Sequence, residues 1–390
     1  MFKNILKVIY SLFLLFLLFG CQTFAKKTET ETPEVKVIPS FEVSLSIGNK
    51  IINPISKETK LNSQVFKVNT KGNVSTNINW KFDVKDEKAN IIYTAEKAGA
   101  LPNELLWDGK NNNKDFVNDG KYYAEIVVTY GETVVTKSKS ETFLLDKTPP
   151  EISIERTPKY FSPDDDDIND LLTFTFTDVQ DISGIKNWEL TIMNPIRTKE
   201  FFTFNGEGKP TKAINWDGKS KEGVLVESVE EYPVIIKAED MVGNVLEKEI
   251  DPILIDILVI KLKDGRYKIR ISNIKFKPDS AEMTDSPKNT EVLDLLANAL
   301  KKYEKNKILI EGYANPYRER LSEKLALQLS EQRARTIVDK LVEEGISSER
   351  ITIKGRGFAN PIIPYRKNMT KDELLEMEIN RRVEFYLDRN

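Results

Sequence analysis

The chain has 390 residues, 40% hydrophobic and 31% charged, with 58 Lys and Arg against 61 Asp and Glu and a formal net charge of −3. That balance suits ordinary globular domains, about two to four at this length, and leaves nucleic-acid binding without an electrostatic footprint. With no histidine and a single cysteine, Ser-His-Asp and Cys-His catalysis, His-ligated zinc and internal disulfides are excluded, and no nucleophile, metal or phosphate motif points to an enzyme.

At the N-terminus, Lys3 and Lys7 flank the start of an almost wholly apolar run from Val8 to Phe19, and Gly20 is the small residue before Cys21. The run is too short to span a bilayer and reads as a cleaved secretory signal. Its end, Leu18-Phe19-Gly20-Cys21, resembles a bacterial lipoprotein signal. The resemblance implies a signal peptide over residues 1–20, acylation of Cys21, and attachment to a membrane through the lipid. Gln22 stands where an inner-membrane retention signal would place an aspartate. The expected location is therefore the outer membrane, facing the periplasm. Residues 21–40, rich in Thr, Glu, Lys and Pro, read as a flexible tether reaching roughly 60 Å when fully extended.

The next stretch repeats itself. Trp80 and Trp188 are 108 residues apart, Trp107 and Trp216 are 109, Tyr123 and Tyr232 are 109, and Asp146 and Asp256 are 110. Trp107-Asp108-Gly109-Lys110 recurs intact as Trp216-Asp217-Gly218-Lys219. A fixed period of this size predicts two copies of one domain, residues 41–147 and 148–256. Alternating stretches such as Thr173-Phe174-Thr175-Phe176-Thr177, broken by Asn, Asp and Gly turns, predict an antiparallel β-sandwich for each. The Trp-Asp-Gly turns resemble those of the immunoglobulin-like domain of flagellar hook-capping proteins. That resemblance implies a spacer or adhesive scaffold, with the tryptophans filling cores rather than binding sugars.

Early in the second copy, Asp164, Asp166, Asn169 and Asp170 cluster in one acidic loop. Carboxylates and an amide suit a hard cation such as calcium. The glycine that turns an EF-hand loop is missing, and a solvated acidic turn opening a strand is the simpler reading. No other cofactor is expected.

Residues 257–390 change pattern. Ile253–Lys263 and Arg266–Phe276 read as strands joined at Asp264-Gly265. Ser286-Pro287 opens a helix carrying Val292, Leu295, Leu296, Ala299 and Tyr303, at helical spacing. Lys307–Gly312 is a short strand, and a second helix runs from about Leu321 to Glu344 and stops at Gly345. Arg350–Gly355 and Arg381–Leu387 complete a β-α-β-α-β-β order, with a helical insert near Lys371–Met377.

Several stretches of this last region occur together in one known family. They are Ile274-Lys275-Phe276 with Asp279-Ser280-Ala281, Ile310-Glu311-Gly312, Leu329-Ser330-Glu331-Gln332-Arg333-Ala334, Gly355 and Gly357, Pro361-Ile362, and Asn380-Arg381-Arg382-Val383-Glu384. In that order they resemble the OmpA-like peptidoglycan-binding domain of peptidoglycan-associated lipoproteins and flagellar stator proteins. The fold expected for the whole chain is thus two all-β immunoglobulin-like sandwiches followed by an α+β OmpA-like domain. The resemblance implies a peptidoglycan stem peptide as ligand, its carboxylate held by Arg333, with Phe276, Tyr313, Ala314, Asn315 and Arg381 around it. The family's ammonium-binding aspartate falls at Asn315, which lacks the charge, and the stretch from Asn315 to Arg333 is roughly three residues longer than usual. Losing one charge-assisted contact of roughly 1.5–3 kcal/mol weakens binding about tenfold or more. Weak wall binding, a variant stem peptide, or docking of another envelope protein all stay open.

Overall fold

The computed structural model describes residues 38–316 and 321–388. The signal, Cys21, nearly all of the tether, and Arg318 and Arg320 of the loop after Asn315 lie outside the described residues.

Nine strands form the first β unit. They are β1 (Phe41–Ile47), β2 (Ile51–Ile52), β3 (Gln64–Gly72), β4 (Asn79–Asp86), β5 (Ile91–Ala98), β6 (Glu104–Trp107), β7 (Gly120–Tyr130), β8 (Thr133–Lys139) and β9 (Phe143–Leu145). One sheet has the order β1-β3-β6 and the other β2-β9-β7-β4-β5, with β8 also paired to β7. In the second unit follow β10 (Glu151–Thr157), β11 (Tyr160–Phe161), β12 (Leu172–Gln180), β13 (Ile185–Met193), β14 (Glu200–Glu207), β15 (Ala213–Trp216), β16 (Glu231–Asp240) and β17 (Val245–Ile255). Its sheets run β10-β12-β15 and β11-β17-β16-β13-β14. The two orders coincide once β17 is seen to do the work of β8 and β9 together. It pairs along β16 and, at its end, in parallel with β11, just as β9 pairs in parallel with β2.

The alternation visible in sequence is what closes each sandwich, because every second side chain turns inward. β1 buries Phe41, Val43 and Leu45, and β12 buries Leu172, Phe174 and Phe176. Trp107 and Trp216 end equivalent strands and are almost wholly buried. Each indole Nε1 donates to the carbonyl three residues on, Lys110 at 2.8 Å and Lys219 at 2.9 Å. The glycine between is obligatory in both copies. Gly109 and Gly218 have φ of +75° and +77°, and a Cβ on either would run into a facing proline, Pro54 or Pro163. One pairing from the sequence shifts. Trp80 lies opposite Val128 and Trp188 opposite Ala238, so the residue matching Tyr232 is Tyr122, not Tyr123. Tyr122 and Tyr232 are the rings that pack on Trp107 and Trp216. The gap between β4 and β7 differs from its counterpart by two residues, which a constant period misses.

The third unit is α+β. It contains β18 (Ile260–Lys261), β19 (Tyr267–Ile271), α1 (Pro287–Lys301), β20 (Ile308–Gly312), α2 (Glu323–Glu343), β21 (Ile351–Gly355), α3 (Lys371–Glu376) and β22 (Val383–Leu387). Its sheet order is β18-β19-β22-β20-β21, with only β20 and β21 parallel. The long first strand expected from sequence is divided. Ile253–Ile255 finish β17 in the second unit, and only two residues of the hairpin's first arm pair with β19. Ser286 occupies the N-cap of α1 without a side-chain cap, whereas Ser322 Oγ accepts from Leu325 N at the start of α2. Gly345, at φ +94°, lets the chain leave α2.

Replacing Trp216 by alanine removes an inward ring and its hydrogen bond. Trp216→Ala is expected to destabilise the second unit by roughly 3–5 kcal/mol in denaturant unfolding, and Trp107→Ala to do the same in the first. A change under about 1 kcal/mol would mark the ring as dispensable to the core.

Candidate functional site

The third unit's sheet has two unlike faces. Ile269, Ile271, Ile308, Ile310, Val383, Phe385 and Leu387 face α1 and α2 and form the core with them. The alternate positions are polar: Lys268, Arg270, Glu311 and Glu384 carry charge, and Tyr386 carries a hydroxyl. Glu311 and Glu384 sit directly opposite each other in register. Such a pair repels unless cations intervene, and here they do. Arg356 pairs with Glu311, Arg382 Nε donates to Glu384 at 2.8 Å, and Lys268 Nζ lies 2.9 Å from Glu384. Tyr313 donates to Glu311 and Tyr386 to Glu384. Burial alone would raise Glu384, yet these hydrogen bonds and charges hold it down to about 2.

The site sits where this network meets α2, at the end of β20. The short loop Asp279-Ser280-Ala281 lies against the helix. Arg333 Nε donates to Ser280 O at 3.0 Å, and Thr336 Oγ1 donates to Ala281 O at 3.0 Å. Arg333 is only 2% exposed, and its guanidinium lies 5.1 Å from the centre of the Phe276 ring. Arg382 stacks 3.8 Å from the centre of the Tyr313 ring and donates to Asn360 O. Arg381 pairs with Glu378 at 3.1 Å. Phe276, Tyr313, Arg333, Arg381 and Arg382 surround one cleft with a volume of about 10 Å³, closed below by Ile271, Ile274 and Val383. That is space for about one water molecule, so a larger ligand group would have to dock at the cleft's edge. Arg381 and Arg382 are already paired with Glu378 and Glu384, so it is the fork geometry of the guanidiniums, more than net charge, that suits a carboxylate.

Of the residues expected from sequence, Phe276, Tyr313, Arg333 and Arg381 line this cleft. Ala314 is buried beside it and acts through its backbone, its N–H donating to Gly357 O at 2.8 Å. Asn315 is fully buried, and its Nδ2 donates to Met377 O at 2.8 Å. An aspartate there would set a carboxylate oxygen against that carbonyl. The asparagine is thus part of the packing between the end of β20 and the turn after α3. Sequence reading passed over Arg382. The signal was available in β22, where Val383, Phe385 and Leu387 point to the core and assign Arg382 and Glu384 to the other face.

The acidic loop of the second unit also assembles in part. Oxygens of Asp164, Asp166 and Asp170 come within 4.8 Å of one another. Asp170 accepts from the N–H groups of Asp165 and Asp167, and Asp164 Oδ2 accepts from Val259 N at 2.7 Å. Asn169 shapes the turn, with φ +59° and its carbonyl accepting from Ser162 N.

A mixed sheet covered by two helices, with an arginine-lined cleft at the strand ends, defines the class of the third unit. Residues 275–373 match the OmpA family, and this part of the chain is an OmpA-like domain. The probable lipoprotein YiaD of Escherichia coli K12 is 33% identical over 116 residues, 30% of this chain and 48% of that protein. The chain thus spans about half the length of that curated relative. Among solved structures, the cell wall anchor of the T6SS from Pseudomonas aeruginosa is 25% identical, covering 32% of this chain and 82% of that one, with a TM-score of 0.26. The peptidoglycan-associated lipoprotein from Burkholderia pseudomallei is 22% identical, covering 30% and 88%, with a TM-score of 0.25.

The depressed Glu384 makes a pH prediction. Its folded value lies below that of an unfolded glutamate, so its contribution is complete above about pH 4.5 and is lost as pH falls toward about 2. Glu384→Gln is expected to lower stability at pH 7 by about 3 kcal/mol and to flatten the acid limb of the stability curve. A wild-type acid limb unchanged by the substitution would show that the pairing contributes nothing.

Proposed function

We propose that this is a lipid-anchored envelope protein of the outer membrane. In this reading it tethers and spaces the membrane from the cell wall by binding peptidoglycan non-covalently through its C-terminal domain. Three kinds of support converge. The OmpA match and the lipoprotein relative support an envelope protein associated with peptidoglycan. The N-terminal residues resemble a lipoprotein signal that would put a lipid on Cys21. The single observation that carries wall binding is the grouping of Arg333, Arg381 and Arg382 around one cleft, whose forked donors suit a carboxylate docked at its edge. The ligand is a free carboxylate of the stem peptide. Arg333 is its main partner, held in orientation by Ser280 O and Phe276. The two β units, residues 41–147 and 148–256, are immunoglobulin-like spacers, and residues 257–390 are the wall-binding domain. The role is binding, with no reaction catalysed.

A second reading has one observation in its favour. Asn315 stands where an ammonium partner would be expected, and its amide is committed to Met377 O. A domain with half of that site gone would serve as a docking module for another envelope protein.

Co-sedimentation of the full chain with purified peptidoglycan sacculi separates the two. The expected result is measurable but weak binding that Arg333→Ala abolishes. In cells, Cys21→Ala is expected to lose acylation and leave the membrane fraction while still sedimenting with sacculi. A wild-type chain that does not sediment makes docking the leading reading, and a Cys21→Ala chain that is still acylated removes the anchor.

A further inference from the structure

We propose that the junction between the two β units binds a divalent cation, calcium by the chemistry of its donors, on the carboxylates of Asp146, Asp181 and Asp240. The three come from separate places. Asp146 follows β9 of the first unit, Asp181 lies in the turn between β12 and β13, and Asp240 ends β16. One oxygen from each falls within 4.8 Å of the others. That separation is what a single ion spans when its bonds are about 2.3–2.6 Å long.

An acidic cluster alone proves little, but one atom here asks for a ligand. Asp146 is 0% exposed, and its Oδ2 is buried with no hydrogen-bond partner among the described residues. Its other oxygen accepts from Thr148 N at 3.3 Å, and the Ser183 hydroxyl is close enough to donate to the carboxylate as well. Leaving a buried carboxylate oxygen unsatisfied costs free energy that a cation would remove. Three carboxylates brought this close repel one another, and a cation between them would balance the charge that Lys186, paired with Glu239, leaves uncompensated.

The other two carboxylates are already oriented. Asp181 Oδ1 accepts from the N–H groups of Ser183 and Gly184 and from Ser183 Oγ. Asp240 accepts from Val242 N, Asn244 N and Asn244 Nδ2. Backbone donors of this kind fix a carboxylate without using its remaining lone pairs. Asn53 of the first unit reaches the same turn, donating to Val242 O at 3.2 Å and Asn244 Oδ1 at 2.8 Å. An ion among the three carboxylates would therefore clamp the end of the first unit to two loops of the second. All-oxygen ligation from separate loops, completed by water, suits calcium better than magnesium, which demands near-ideal octahedral geometry. Affinity on the order of 10⁻⁴–10⁻³ M is typical of extracellular modules.

Calorimetric titration of chelator-treated full-length chain with calcium chloride tests the site. The expected stoichiometry falls by one ion per chain in Asp146→Asn and in Asp181→Asn. It stays unchanged in an Asp166→Ala/Asp170→Ala double variant, which disarms the other acidic loop. Calcium is also expected to raise the melting temperature of the wild type and not that of Asp181→Asn. Asp181 is partly exposed, so its variant decides the matter if Asp146→Asn fails to fold. A wild type that takes up no calcium at millimolar concentration overturns the proposal. So does a stoichiometry identical in wild type and Asp181→Asn.

Discussion

The third unit depends on how closely the backbone of α2 lies on its sheet. Gly312 ends β20 directly beneath Ser330, and a Cβ there would collide with the Ser330 carbonyl. Gly355 ends β21 under Leu327 in the same way. Two strands side by side thus give up their side chains where the helix crosses, so the helix axis cannot lift off without opening the core. Ser330 then secures the contact from above, its Oγ accepting from Gly357 N and donating to Leu327 O. Arg333 is one turn further along the same helix face. Its position over Phe276 and against Ser280 O follows from that crossing. The cleft is therefore placed by backbone contact, which is stiffer than side-chain packing alone.

Much of this was legible in the chain. The repeated Trp-Asp-Gly-Lys stretch gave away its structure because each residue has one job in it. The tryptophan fills the core, its Nε1 reaches the lysine carbonyl, and the glycine takes a left-handed turn under a proline. The α+β order of the last unit was legible for a similar reason, since Ile, Val and Leu alternate with charge along β19, β20 and β22. Contacts that depend on register were harder to read. A constant period assigned Tyr123 to the partner of Tyr232, but the loops between strands differ in length and Tyr122 holds that place. Asn315 was judged by the charge it lacks, when its amide has a structural bond to Met377. Arg382 was passed over beside Arg381, although its side of the strand could have been counted.

Hardest of all were the contacts between units, because nothing local marks them. Asn53 and Asn244 are 191 residues apart and share a buried hydrogen bond. Arg270 and Glu227 join the second unit to the third, with Nε donating to Glu227 Oε2 at 2.8 Å. Asn273 Nδ2 donates to Val229 O at 2.8 Å nearby. At the second-to-third junction these polar contacts accompany apolar ones, since Val229 packs in the core of the third unit and Leu258 in that of the second. Apolar surfaces slide with little loss, whereas hydrogen bonds and ion pairs hold one geometry. A row of units joined this way keeps a defined arrangement, as the proposed spacer between lipid and wall would require.

Polar junctions carry a cost that shows in their acids. Burial pushes Asp146 and Asp164 up to about 6 and Glu230 up to about 7. For each, the folded value lies above the unfolded one, so folding favours the neutral form. Their penalty is absent at low pH and grows as pH rises from about 4 through these values. Glu384 runs the other way, since its cations lie within the same unit and hold it low. The contrast separates two ways of burying a carboxylate. Inside the OmpA-like domain the balancing charge is covalently part of the fold and is always present. At Asp146 the neighbouring charges are other acids, so the balance has to come from protons or from a cation supplied by the surroundings. A junction built on the second plan responds to its medium, while the arginine-lined cleft keeps its charge whatever the medium holds.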